Sequence, residues 1–286
     1  TNVVLSDTIR TGATFQDYEI LSAVITGWDA SVLNSSNGVT FGTAGTVAGD
    51  GNSVSFDVGT LVNTADQSVT NDFITFEVTA RSLGSDASLE ADDRLANTGR
   101  FQADGVDASV SNGVDVVEPN VAIDKTASPS TVVADGTVNY RIDVTNPAQS
   151  RDAPAYDVVI TDDLADPNIT LDAGTVVVTV NGANVTATAV QTGNGGGDTT
   201  ILITFDEIAI DDEVVITYSA SVNPAVEAEI EIDNTADITY DSLPGDNTDD
   251  ERDYSDSDDA TVTAASPSIT KDVINPSTDE TAGTDL

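Results

Sequence analysis

Thr137-Val138-Asn139-Tyr140-Arg141-Ile142-Asp143-Val144 alternates polar and apolar side chains without a break. A period of two puts Val138, Tyr140, Ile142 and Val144 on one face of an extended strand, with Asn139, Arg141 and Asp143 on the other. A strand that is apolar on one face only needs a second layer to cover it. Working outward, Ile201, Ile203 and Phe205 alternate, as do Val214, Ile216, Tyr218, Ala220 and Val222. Asn181-Gly182, between Val176–Val180 and Val185–Val190, is a hairpin turn signal. Ile230, Ile232, Ala236 and Ile238 are expected to line one face of the closing strand. Roughly seven strands in about 150 residues, with no expected helix, predict an all-β fold of antiparallel, immunoglobulin-like β-sandwich type.

The pattern repeats, so the sandwiches are expected in tandem. Val3-Val4-Leu5-Ser6-Asp7-Thr8-Ile9 matches Val158-Val159-Ile160-Thr161-Asp162-Asp163-Leu164, and Ser55-Phe56-Asp57 matches Thr204-Phe205-Asp206. Leu95-Ala96-Asn97-Thr98 matches Ile232-Asp233-Asn234-Thr235. The chain has only two lysines, Lys125 and Lys271, 146 residues apart, and they fall in matching segments. Residues 1–118 are therefore read as the later part of one repeat, 119–266 as a complete repeat and 267–286 as the opening strand of a third. Pro119 and Pro267 mark the joints, and short, proline-punctuated joints predict a semi-rigid rod.

Charge narrows the partners. Fifty acidic residues against nine basic ones leave a formal net charge of −41 over 286 residues, so nucleic acid and anionic membrane surfaces are poor partners, because every phosphate contact starts from repulsion. Aspartate among Thr, Val and Gly favours strands and turns over helices, and a hydrophobic content of 39% can build cores. Cys, His and Met are absent, which removes disulfides, thiolate zinc sites and imidazole bases. No cofactor is required by anything in the sequence, and no apolar run is long enough for direct membrane insertion of this segment. Asp246, Asp249, Asp250, Glu251, Asp253, Asp256, Asp258 and Asp259 crowd one stretch, expected to be a loop. Calcium takes six to eight oxygen ligands, and this stretch is the candidate site, with Asp246, Asp249, Asp250, Asp253, Asp256 and Asp258 as ligands. It lacks EF-hand spacing, and a solvated acidic surface adapted to salt explains the same residues.

Strand period also places three polar groups on apolar faces. Lys125 shares a face with Val121 and Ile123, Asp162 with Val158 and Ile160, and Asn234 with Ile230 and Ile232. The partial repeats carry Asp7, Asn97 and Lys271 at the equivalent positions. Burying such groups separately is costly, so they are expected to meet.

Here the chain resembles a known family. Lys125-Thr-Ala-Ser-Pro129, Val138-Asn-Tyr-Arg-Ile-Asp-Val-Thr-Asn146, Val158-Val-Ile-Thr-Asp-Asp-Leu164 and Asn234-Thr-Ala-Asp-Ile238 follow one another as in the conserved-repeat domain of unknown function of bacterial and archaeal surface proteins. The series is similar also to the isopeptide-forming domains of fimbrial shafts. Asp162-Asp-Leu-Ala-Asp-Pro167 departs from the family's usual Asp-Thr-Leu-Pro. The resemblance implies that Lys125 on the first strand joins Asn234 on the last, assisted by the buried acid Asp162. A buried Lys–Asp pair hydrogen-bonded to an Asn, without a covalent bond, is the alternative reading.

The function expected is structural rather than enzymatic: a repeat module of an extracellular stalk, adhesin shaft or surface filament, at the cell surface. Its partners would be neighbouring repeats of the same chain, or identical subunits in a filament. The alternatives are a calcium- or glycan-binding adhesion domain, with Trp28 as its conspicuous aromatic, and a filament subunit assembled by strand exchange.

Overall fold

The computed structural model describes residues 2–10, 18–49, 51–64, 73–82, 91, 93–149, 152–245, 251–266 and 271. The early strands are β1 (Asn2–Arg10), β2 (Tyr18–Trp28), β3 (Leu33–Ser35), β4 (Thr46–Val47), β5 (Ser53–Asn63), β6 (Ile74–Ser82), β7 (Arg94–Ala103) and β8 (Val106–Asp115). They are followed by β9 (Ala122–Ser128), β10 (Thr131–Val132), β11 (Thr137–Thr145), β12 (Ala155–Asp163), β13 (Ile169–Leu171) and β14 (Val177–Val180). The last are β15 (Ala183–Asn184), β16 (Val190–Thr192), β17 (Thr200–Ile208), β18 (Glu213–Val222), β19 (Glu231–Asp241) and β20 (Asp253–Ala264). One helical turn, α1 (Thr186–Ala189), separates β15 from β16.

The later strands form two facing sheets. One has the order β10-β20-β19-β12-β17-β16; the other runs β15-β14-β18-β11-β9, with β13 also on β18. Val138, Tyr140, Ile142 and Val144 are all buried in the cluster between them, as the alternation requires. Ile142 faces Ile216 across the β11–β18 ladder, and neither is exposed. Ile216→Ala is therefore expected to cost about 2–5 kcal/mol, read from the shift in a urea unfolding midpoint.

The earlier strands build a second, separate core. The order β3-β5-β1-β7-β8, with β4 on β5, makes one sheet and β2-β6 the other. Val3, Leu5, Ile25, Val54, Phe56 and Val58 fill the space between, and Trp28 packs against them. Trp28 is thus a packing residue here.

Pairing register gives the repeat a structural form. Asp7 lies opposite Gly99 on β7, and Asp162 lies opposite Ala236 on β19. Asn97 and Asn234 each stand two residues before those partners. One sequence match does not carry over: Phe56 pairs with Leu5, whereas Phe205 pairs with Val158. The two ladders are thus set two residues apart relative to the sequence match.

Three local expectations are corrected. Asn181 and Gly182 both have positive φ and make the expected tight turn, but the returning arm stays extended only to Asn184. There the Asn184 side chain accepts the Thr186 N–H, and the Thr186 hydroxyl takes the Val178 N–H that a longer strand would have used. Second, Ile230 is exposed and precedes β19. Third, β19 does not close the sandwich. From Asp253 onward the acidic stretch expected as a loop belongs to the closing strand β20, paired with β19 from Glu231↔Thr263 to Asp241↔Asp253. Its alternation of Tyr254, Asp258, Ala260 and Val262 with more exposed residues is a strand signal that the carboxylates obscured. Of 267–286, only Lys271 falls within the described residues, and it is exposed.

Candidate functional site

Lys125 is held by the edge strand β9. It lies opposite Ile142 on β11, and its backbone N–H donates to Asp258 Oδ2 on β20 at 2.6 Å. Strand alternation turns its side chain inward beside Val121 and Ile123. From there the amine crosses the core to the opposite sheet and donates to Asp162 Oδ2 at 2.7 Å. Both side chains are wholly shielded from solvent. Asp162 Oδ2 also accepts the Tyr218 hydroxyl at 2.5 Å, and that hydroxyl accepts the Asn234 carboxamide N–H at 2.7 Å. The amine further sits 5.5 Å from the Tyr140 ring centroid, and the Tyr140 and Tyr218 rings stack at 5.2 Å. The structure therefore brings Lys125, Asp162 and Asn234 into one buried network. Asn234 stands on β19, the strand next to Asp162, not on the last strand.

Burial sets the protonation. Removal from water lowers the Lys125 pKa against the opposing pull of Asp162, Asp237 and Asp258. The same desolvation raises Asp162, although Lys125, Tyr218 and Asn234 all favour its ionised form. Tyr218 is raised too, first by desolvation and then by the Asp162 charge, so its hydroxyl keeps its proton. Two acceptors remain without partners, Asp162 Oδ1 and Asn234 Oδ1. A proton carried by Asp162 would turn one of these acceptors into a donor for the other. Neutral amine, protonated acid and polarised carboxamide are the species that amide exchange needs.

Tyr218 was read from the sequence only as one of five inward residues of its strand. A signal was available, because a tyrosine on an otherwise aliphatic core face needs a partner for its hydroxyl.

The earlier sandwich holds the same acid and amide without an amine. Asp7 is only 6% exposed, and burial raises its pKa against the hydrogen bond from Asn97. Asp7 Oδ1 and Asn97 Oδ1 again lack partners. A carboxyl whose folded pKa is raised favours folding below its unfolded pKa and loses that contribution as pH climbs through the folded value. Asp7→Asn is therefore expected to raise the thermal midpoint at pH 7, by the equivalent of roughly 1 kcal/mol, the scale of a strained buried polar group. At pH 3 it should change little.

The calcium candidates are dispersed. Asp246, Asp249 and Asp250 lie outside the described residues. Asp253 faces one side of β20, whereas Asp256 and Asp258 face the other, and Asp258 is engaged with β9. Among the described residues, the carboxylates that converge are Asp241, Glu251 and Asp253, with oxygens within 4.8 Å of one another. Asp241 was missed because only the ladder between β19 and β20 brings it opposite Asp253. Three carboxylates could supply part of a calcium shell. Among the described residues, no helix is long and apolar enough to cross a membrane.

No family model matches the chain, and no curated protein matches it in sequence. Among solved structures, it is similar to BcpA, the major pilin subunit of Bacillus cereus. The identity is 15% over 91% of this chain and 69% of that one, with a TM-score of 0.38. It is similar also to the C-terminal domain of the AgI/II polypeptide BspA of Streptococcus agalactiae, at 12% identity over 93% of this chain and 85% of that one, TM-score 0.42. Domains D2 and D3 of the major pilin SpaD of Corynebacterium diphtheriae align at 16% identity over 49% of this chain and 51% of that one, TM-score 0.37.

Proposed function

We propose that the chain is a structural repeat module of an extracellular stalk, adhesin shaft or surface filament, and that its later sandwich is locked by an amide bond between Lys125 and Asn234. The observation that carries the reading is the fully shielded Lys125–Asp162 contact, made between opposite sheets and extended through Tyr218 to Asn234. A buried ion pair is a poor source of stability for its own sake, whereas the same three groups are the reactants and acid of a self-directed crosslink. Neutral Lys125 Nζ attacks Asn234 Cγ while Asp162 donates its proton toward the carboxamide oxygen. A bond forms from Nζ to Cγ, the bond from Cγ to Nδ2 breaks, and ammonia leaves. The reaction occurs once per molecule. It would join β9 in one sheet to β19 in the other, so that a pulling force bypasses the strands between. Repetition and an acidic exterior of net charge −41 fit a rod exposed to salt.

The test is the intact mass of the denatured chain beside its Lys125→Ala and Asn234→Ala variants. The parent should be one ammonia lighter than its sequence and both variants should have their full calculated mass. A parent of full mass would leave the network non-covalent.

A further inference from the structure

Two stacked tyrosines lie in the core beside Lys125 and Asp162, and they use their hydroxyls differently. Tyr140 on β11 and Tyr218 on β18 are opposite one another in the ladder, and their rings stack at 5.2 Å. Both are buried. The Tyr140 hydroxyl has no hydrogen-bond partner among the described residues. The Tyr218 hydroxyl donates to Asp162 Oδ2 at 2.5 Å and accepts from Asn234 Nδ2 at 2.7 Å. Core packing does not require that hydroxyl, because a phenylalanine ring fills the same space. Ile74-Thr75-Phe76 on β6 matches Ile216-Thr217-Tyr218 on β18, and Phe76 packs against the earlier core without a hydroxyl.

A tyrosine hydroxyl carries one proton. With that proton directed at Asp162, the Tyr218 oxygen can only accept, so Asn234 presents its amide nitrogen to Tyr218 and keeps Oδ1 for the acid. The result is an unbroken chain of contacts: Lys125 Nζ to Asp162 Oδ2, Oδ2 to Tyr218 Oη, and Oη to Asn234 Nδ2. Its two ends are the nitrogens that would exchange places on Asn234 Cγ. The attacking nitrogen must lose a proton, and the leaving nitrogen must gain one.

We propose that Tyr218 is a catalytic residue of the crosslink, fixing the orientation of the Asn234 carboxamide and delivering the proton with which its nitrogen leaves. The inference rests on the crosslink reading. Once Nζ has bonded to Cγ, Nδ2 is no longer conjugated with the carbonyl and its electron pair becomes basic. Nζ then releases a proton to Asp162 Oδ2, Oδ2 passes one to Tyr218 Oη, and Oη gives its own to Nδ2. Desolvation and the Asp162 charge oppose a tyrosinate, so the two transfers at Oη occur together. The Cγ–Nδ2 bond breaks and ammonia departs. The carbonyl re-forms as its oxygen returns the proton taken from Asp162, so Asp162 and Tyr218 end as they began.

The experiment makes the full chain in a short cell-free pulse, quenches samples in acid denaturant at intervals, and reads ammonia loss from intact mass. Tyr218→Phe removes the engaged hydroxyl and keeps the stacked ring. Tyr140→Phe removes the unengaged hydroxyl from the other ring and is the control. Expected is a loss slowed by about 100-fold in Tyr218→Phe, the scale of general acid catalysis, with Tyr140→Phe at the parent rate. Equal rates in the parent and Tyr218→Phe would overturn the proposal and leave the crosslink in place. Equal slowing in both variants would overturn it too, assigning the effect to the ring stack. If Tyr218→Phe shows no urea unfolding transition, replacement of Tyr218 by ring-fluorinated tyrosine keeps ring and hydroxyl and makes the hydroxyl more acidic. A faster loss then supports the relay, and an unchanged rate overturns it. A parent of full mass at every time would overturn the crosslink reading, and the relay with it.

Discussion

Lys125→Ala and Asn234→Ala should each restore the ammonia missing from the parent and destabilise the later sandwich by about 4–5 kcal/mol. That is the closure entropy of a loop of about 110 residues, and for a domain of this size it corresponds to roughly 10–20 °C in thermal midpoint. The two variants should then part company. Lys125→Ala removes the amine, so Asp162 stays buried as a neutral acid. Asn234→Ala keeps the amine and leaves Lys125 and Asp162 to titrate. Burial lowers the Lys125 pKa, so its contribution to stability grows as pH rises from the folded value toward the unfolded one. Burial raises the Asp162 pKa, so its contribution is present below the unfolded carboxylate range and lost as pH rises through the folded value. Asn234→Ala should therefore gain stability on the alkaline side, measured by urea unfolding across a pH series. The parent, whose Lys125 nitrogen has become an amide, should not show that alkaline gain from this residue.

Asp162→Ala should have the larger effect. It removes the acid, so the chain keeps its full mass. It also strands the Lys125 amine in a site with no exposed surface. Breaking a buried pair at one partner costs about 3–5 kcal/mol, and that should appear beyond the loss seen in Asn234→Ala. Adding Lys125→Met to Asp162→Ala should recover most of the extra cost, because an apolar chain of similar length needs no counter-charge. Failure of that rescue would assign the damage to packing. A mass deficit persisting in Asp162→Ala would remove Asp162 from the chemistry, and Tyr218, hydrogen-bonded to the Asn234 carboxamide, would be the next donor to replace.

Alternation alone determined the sandwich and the inward direction of three polar residues. A strand has only two faces, and Val121-x-Ile123-x-Lys125, Val158-x-Ile160-x-Asp162 and Ile232-x-Asn234-x-Ala236 leave no doubt which face each residue joins. The repeat likewise located Asp7 and Asn97 by position. Tertiary structure decided the rest. Which strand closes the sandwich depends on the ladder between β19 and β20, and a strand dense in aspartate reads locally as solvated surface. Tyr218 enters the network because β18 faces β12 and β19 across the core, a relation between sheets that no local period encodes. The same holds for Asp241, which meets Asp253 only through strand pairing. The exposure of Val110 and Val114 on β8 was equally invisible in sequence, since what covers a strand is set by packing between sheets. Sequence period fixes directions within a strand, whereas neighbours across a sheet or a core are set by pairing and packing over many residues.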